Sequence, residues 1–322
     1  MAQSGSSVRV IPVALVVPML NEAATLPELL AAIERQSLRP AEVLFADSGS
    51  QDGGPALITQ WWNNRGWEGG RCEVIANAGG LPGGNRNAGV RRASQPWIAF
   101  LDAGIVPADD WLEQLYRYAE PPGTQALSGD CRFDADHAVP LAVCALSAGV
   151  GRRAPVLPAS LFRREVFDRA GFFREDLRAG EDLEWLQRLA PAGITREFCT
   201  GALVHYRHFP PTLGAAARKW FVYEKNSIRA GVRQRQKRIY LSAFAAFLGI
   251  AAWLPQYAAL AVIAYGLLRG GVDPVRRSRD LFWWRRAPGA LPLAFLLGPL
   301  LDLSKLAATL VSLPEIIARP QR

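Results

Sequence analysis

The sequence predicts an α/β protein with a mostly parallel central sheet, followed by an apolar helical region. Three observations predict it. Short β-rich apolar runs alternate with helical spacings over the first 120 residues. Four of those runs end in polar residues: Asn21 with Glu22, Asp47, Asn77 and Asp102. Charge and hydropathy then change together near residue 233. Residues 1–232 carry 24 Lys and Arg against 25 Asp and Glu, whereas residues 233–322 carry 13 against 4.

The run PVALVVP (12–18) is uniformly apolar, as a strand covered on both faces should be. Arg9 ahead of VIPVALVVPML imitates the start of a signal peptide, but the run is short and passes straight into a helix, so a buried strand is expected. Thr25 and Glu28 have capping-box spacing, with Pro27 in the first turn and Leu26, Leu29, Leu30 and Ile33 on one face. EVLFAD (42–47) is the second strand, PALITQWWNN (55–64) a helix and CEVIAN (72–77) the third strand. A glycine-rich loop (79–84) leads into a helix over NRNAGVRRA, and WIAFLD (97–102) is the fourth strand. The helix DDWLEQLYRYA (109–119) turns Trp111, Leu112, Leu115 and Tyr118 or Ala119 inward. From 124 to 208, the strand-like pieces QALSGDCRF, PVLPASLFR and GALVHYRH surround a short helix, EDLEWLQRLAPAG, that Gly193 ends.

The division expected is a domain over 1–232 and a membrane-associated helical region over 233–322. Residues 239–268 run without a charge, longer than the roughly 20 residues that span a bilayer. Residues 287–314 form a second apolar segment containing Asp302 and Lys305. The connecting segment holds Arg269, Arg276, Arg277, Arg279, Arg285 and Arg286, which a two-span hairpin would place on the wrong side for the positive-inside tendency. A break at Pro255 would make the first segment re-entrant, keeping Arg276, Arg277, Arg279, Arg285 and Arg286 on the cytoplasmic surface with Trp283 and Trp284 at headgroup level. Basic residues flanking apolar segments suit an anionic lipid surface and not nucleic acid. The four cysteines have no metal spacing and read as reduced and structural.

In an open α/β sheet the polar strand ends share one edge, and ligands bind there. Each residue alone is an ordinary turn residue; four in succession suggest a site. Arg86 follows four glycines at the start of a helix, where free N–H groups favour an anion. Asp102 is followed two residues later by Gly104, not by a second carboxylate. Glu181 and Asp182 open a helix, where acidic groups also serve the helix dipole. His205 and His208, three apart on a strand, would point to opposite faces.

In order, VVPMLNEAATLPELLAAI, VLFADSGSQDGG, NAGGLPGGNRNAGVRRASQPWIAFLDAG, SLFRREVFDRAGFFREDLRAGEDLEWLQRLAPAG and ALVHYRH resemble the motif blocks of the family 2 glycosyltransferases, over about residues 12–230. The resemblance implies a GT-A fold, Rossmann-like with a mostly parallel central sheet flanked by helices. It implies a nucleotide-sugar donor held by Asp47 at the base, Asp52 at the ribose, Asn21 and Glu22 in the first loop, and Arg86 with Asp102 at the diphosphate. Asp182, with Glu181 beside it, takes the place of the general base that an inverting transfer needs. A divalent cation, Mg²⁺ or Mn²⁺, is expected at Asp102 and His205. Gly104 leaves three accounts open. Asp102 holds the cation with water and His205; or Asp109 or Asp110 supplies a second carboxylate; or Arg86 and other cations take the charge with little metal.

The absence of Q-x-x-R-W after the acid pair matches the non-processive members. The function expected is transfer to a lipid-linked or membrane-proximal hydroxyl by a domain on the cytoplasmic face of a membrane. A polyprenyl-phosphate sugar synthase and a non-catalytic GT-A-like binding subunit are the alternatives.

Overall fold

The computed structural model describes residues 8–232 and 234–314. These divide into two compact units. Among the described residues, one takes 8–132, 153–177 and 181–206; the other takes 133–152, 178–180, 207–232 and 234–314.

The first unit is built on β1 (Val10–Met19), α1 (Leu26–Glu34), β2 (Arg39–Asp47), α2 (Gly54–Arg65), β3 (Arg71–Ala76), α3 (Pro82–Arg92) and β4 (Trp97–Phe100). β1 is buried almost throughout, and pairs parallel to β2 on one side and β4 on the other; β2 pairs parallel to β3. The capping box does not form: the Thr25 hydroxyl donates instead to Glu22, at Oε2 (2.8 Å) and at the backbone oxygen. α3 starts at Pro82, three residues earlier than expected, because proline suits a first turn where no N–H is needed. Gly83 and Gly84, expected in a loop, therefore become helical, and two glycines of α3 allow close packing. A Cβ on Gly89 would collide with Val16 of β1, and one on Gly83 with the Arg174 carbonyl.

Beyond β4 the sheet changes sense. β5 (Ile105–Pro107), α4 (Trp111–Ala119), β6 (Ala126–Phe133), α5 (Ala138–Ser147), β7 (Arg153–Arg163), α6 (Glu165–Ala170), α7 (Glu181–Leu189) and β8 (Arg196–Tyr206) follow. The eight strands run β3-β2-β1-β4-β7-β6-β8-β5. β7 is antiparallel to β4 and to β6, and β5 is antiparallel to β8, so the sheet is mixed, parallel in one half only. On α4, Ala119 turns inward and Tyr118 stays exposed. Phe100, Phe162, Phe167, Phe173 and Trp185 form one core cluster. In it the Trp185 ring stacks on Phe167 at 5.0 Å and meets Phe162 edge-on at 4.9 Å. Trp185 Nε1 donates to the Gly171 carbonyl at 2.7 Å, which anchors α7 and so fixes Glu181 and Asp182 at its start.

The second unit contains α5, then α8 (Leu213–Ala230), α9 (Gln234–Trp253), α10 (Pro255–Gly266), a π-helical turn (Leu267–Val272), α11 (Asp273–Arg277), a 3₁₀ turn (Trp283–Arg286) and α12 (Ala290–Val311). α12 packs against α5 and α8. Helical backbone breaks at Leu254, and Pro255 opens the next helix. No residue from 241 to 269 is buried, and Trp253, Leu260 and Ile263 are 85%, 60% and 57% exposed. Pro255–Arg277 and Ala290–Val311 are each long and apolar enough to cross a membrane. Trp283, expected at a headgroup layer, is wholly buried in the unit's interior.

Candidate active site

Parallel pairing puts the ends of β3, β2, β1 and β4 along one edge of the sheet, carrying Asn77, Asp47, Asn21 and Asp102 in that order. Met19 lies opposite Asp47, so the loops after β1 and β2 are neighbours. They are stitched together by the expected donor-binding residues. The Asn21 N–H donates to Ser50 Oγ at 2.8 Å, and its side-chain oxygen accepts from the Gln51 N–H at 2.9 Å. Asn21 is the one described non-glycine residue with positive φ, at 55°, which asparagine tolerates. Asp47 is buried and accepts the Ser50 hydroxyl at 2.5 Å. Asp52 accepts the N–H groups of Ala23 (2.7 Å) and Gly54 (3.0 Å), which hold its carboxyl below the usual aspartate range. Glu22 holds Thr25.

The second cluster centres on Arg86. Its side chain is 5% exposed, with one terminal nitrogen 2.5 Å from Glu181 Oε1 and the other 2.8 Å from Asp102 Oδ1. The guanidinium therefore braces two carboxylates, one from the β4 end and one from the start of α7. Burial opposes its charge, but Asp102, Glu181 and Asp182 together outweigh burial and raise its pKa further. Burial pushes the Glu181 carboxyl up; Arg86 pulls it down, Asp182 adds to the rise, and the net direction is upward. Glu181 Oε2 is buried without a hydrogen-bond partner. Asp182, half-buried, has one oxygen accepting from the Leu183 N–H at 2.7 Å.

Sequence reasoning missed the residues that hold Arg86 in place. Asn87 is fully buried; it accepts from the Phe173 N–H and donates to the Phe173 carbonyl, both at 2.9 Å, and to Glu175 at 2.8 Å. Asn85 accepts from Asn77 at 2.8 Å and donates to Ser48 at 2.6 Å, tying α3 to the ends of β2 and β3. The motif RNAG thus reads as a bracing arginine, a buried clamp and, after Ala88, the Gly89 contact with β1. The signal was the asparagine pair within a helix that otherwise lacks polar reason to be buried.

The metal question turns on donor chemistry. No three His, Cys, Asp or Glu among the described residues gather as a metal-holding group. Asp102 stands 39% exposed at the sheet edge, with Oδ1 accepting from Arg86. His205 lies on β8 opposite Val106, on the strand that follows Asp102. Asp109 pairs with Arg35 at 3.1 Å, and Asp110 accepts from Gln114 at 2.9 Å, both on exposed surface before α4. Three carboxylates around one guanidinium leave the corner acidic, which fits a cation held chiefly by a ligand's own oxygens with Asp102 as the chain's contribution.

The family model described as glycosyl transferase family 2 matches residues 14–142. Glycosyltransferase AglE of Haloferax volcanii is 24% identical over 76% of this chain and 83% of its own length. The pre-mycofactocin glycosyltransferase of Mycobacterium tuberculosis is 28% identical over 70% of this chain, which spans about half (48%) of that relative. Residues 14–142 match the family 2 glycosyltransferase domain. The mannosyltransferase PcManGT of Pyrobaculum calidifontis, solved with GDP-Man and Mn²⁺, superposes over 91% of this chain and 87% of its own, with TM-score 0.58 and 20% identity. That likeness shows the fold of this glycosyltransferase to be GT-A.

Proposed function

We propose that this glycosyltransferase moves a sugar from a nucleotide-sugar donor, with inversion, to a hydroxyl of a lipid-linked acceptor at a membrane surface. The observation that carries the transfer reading is the Arg86 corner at the ligand edge of the sheet. There Glu181 is pinned and buried, and Asp182 beside it is the more accessible acid. An inverting displacement needs one carboxylate positioned to take the acceptor proton, and Asp182 fits that role. Glu181, tied to Arg86, serves to position the corner. Asp47, Asp52, Asn21 and Glu22 shape the donor pocket by fixing the two adjoining loops. The GT-A neighbour is bound to GDP-Man and Mn²⁺, and by analogy a Mg²⁺ or Mn²⁺ ion would sit at Asp102, with His205, on the strand paired with β5, as the second expected ligand. When bound, the ion supplies positive charge to the diphosphate leaving group.

The lipid reading rests on the second unit. A bare apolar surface from 241 to 269, flanked by arginines, matches a bilayer better than water. The catalytic unit is placed on the cytoplasmic side, where nucleotide sugars and anionic lipid meet the basic flank. The test incubates the full-length protein with tritiated nucleotide sugars, Mn²⁺ and a membrane lipid extract. Label entering the organic phase supports the proposal. Label confined to water-soluble product, with equal yield when lipid is omitted, overturns the lipid acceptor. A Leu260→Ser, Ile263→Ser double variant should bind neutral vesicles at least about tenfold less well, since each side chain contributes about 1.5–3 kcal/mol on burial.

A further inference from the structure

The second unit holds a cavity of about 570 Å³ whose wall includes Arg207, His208, Lys219, His137, Asp136 and Phe209. Arg207 and Lys219 are basic, two others are histidines, and Asp136 is the acid in the same wall. The first turns of two helices also form the wall, α5 through Pro140 and α8 through Ala215. Helix N-termini carry partial positive charge, so they add to the side chains. Lys219 Nζ lies 5.5 Å from the Tyr223 ring centroid, and burial holds its ammonium below the ordinary lysine value. An anion beside it would restore the charged form.

The arginine-rich segment that follows α10 is partly tied up in ion pairs. Arg269 bonds Asp273 and Asp302, each at 2.8 Å; Arg277 bonds Asp273 at 2.7 Å; and Arg286 bonds Asp134 at 2.7 Å and Asp280 at 2.9 Å. Three of its six arginines are thus tied to carboxylates of the same unit. The cavity gathers several basic side chains in one concave wall, at a volume within the range that takes organic ligands. The same unit exposes apolar helices. A molecule with an anionic head and a hydrocarbon tail matches both features.

We propose that this cavity binds the phosphate or diphosphate group of the lipid-borne acceptor. The inference rests on the lipid-acceptor reading and names the group by which the acceptor is recognised. Binding of the full-length protein is measured to neutral phosphatidylcholine vesicles alone, to the same vesicles carrying a long-chain prenyl diphosphate, and to vesicles of equal charge carrying phosphatidylglycerol. Inorganic pyrophosphate is the soluble competitor. The expected result is at least about tenfold tighter binding to the prenyl diphosphate vesicles than to either control. Pyrophosphate should compete, and Arg207→Gln with Lys219→Gln should abolish the gain. Circular dichroism and nucleoside diphosphate binding report whether that variant is folded; if it is not, His208→Gln and competition on the unaltered protein decide. Equal binding to phosphatidylglycerol vesicles, or an unchanged gain in the folded variant, overturns the proposal. Pyrophosphate binding with no preference for the lipid-borne form also overturns it. If labelled sugar still enters lipid while the gain is absent, the cavity inference fails alone. If the gain is present but label stays in water-soluble product, the acceptor reading fails.

Discussion

Arg86 and Arg269 are both nearly buried arginines, each gripped by two carboxylates, and they differ in what surrounds the grip. Around Arg269 the charges close on themselves. Asp302 also accepts from Lys305 at 2.9 Å and from Tyr265 at 3.0 Å, and Asp273 also accepts from Arg277. Around Arg86 they do not close. A third carboxylate, Asp182, adds to the field, and one oxygen of Glu181 has no partner. A knot in which both acids are fully paired ties helices of the second unit together. An acid-rich knot at the open edge of a sheet is left incomplete by the protein and is suited to a ligand that brings its own cation. The unmatched charge, more than burial or proximity, separates a site from a brace.

The comparison breaks first at Asp182. Asp182→Asn should lower kcat by about 10²- to 10⁴-fold, as loss of a general base does, while nucleoside diphosphate affinity and thermal stability stay within error. Surviving activity would move the base elsewhere. The arginines come next. Arg86→Met leaves Glu181 and Asp102 without their cation and should cost about 3–5 kcal/mol in urea unfolding. Arg269→Met should cost about 1–3 kcal/mol, because Lys305 and Arg277 still hold the two acids. Equal losses would erase the distinction drawn above.

The smallest effect is in pH. Glu181 has its carboxyl raised on folding above the ordinary value of 4.5. Folding therefore favours its protonated form, and the stabilisation it contributes is full below 4.5 and is lost as pH rises through the folded value. The difference in unfolding free energy between the unaltered protein and Glu181→Gln should therefore fall as pH climbs from about 4.5. A difference that grows over that range would mean that Arg86 lowers the carboxyl overall.

Much of the first unit was legible because its signals are local. Parallel strands buried on both faces read as apolar runs, and their polar ends mark the edge. Asp47, Asp102 and the Glu181–Asp182 pair stand where those patterns put them. The remainder depended on contacts distant in sequence. The antiparallel half of the sheet follows from where β7 pairs, which its own residues do not encode. Pro82 extended α3 into a stretch whose glycines suggested a loop. Asn87 is buried because it meets the Phe173 backbone, a contact 86 residues away. Trp283 looked like a headgroup anchor by its neighbours, yet its ring fills the interior of the second unit. Residues 133–152 join that unit although their pattern continues the first.

The central claim is that the incomplete charge at Arg86, Asp102, Glu181 and Asp182 is a donor diphosphate corner. Calorimetric titration of the full-length protein with UDP, GDP and dTDP, each with and without Mn²⁺, tests it most directly. The account predicts saturable binding of one nucleoside diphosphate, strengthened by Mn²⁺ in the unaltered protein and no longer strengthened in Asp102→Asn. Absence of binding by all three in either condition, or an Mn²⁺ effect untouched by Asp102→Asn, would contradict it.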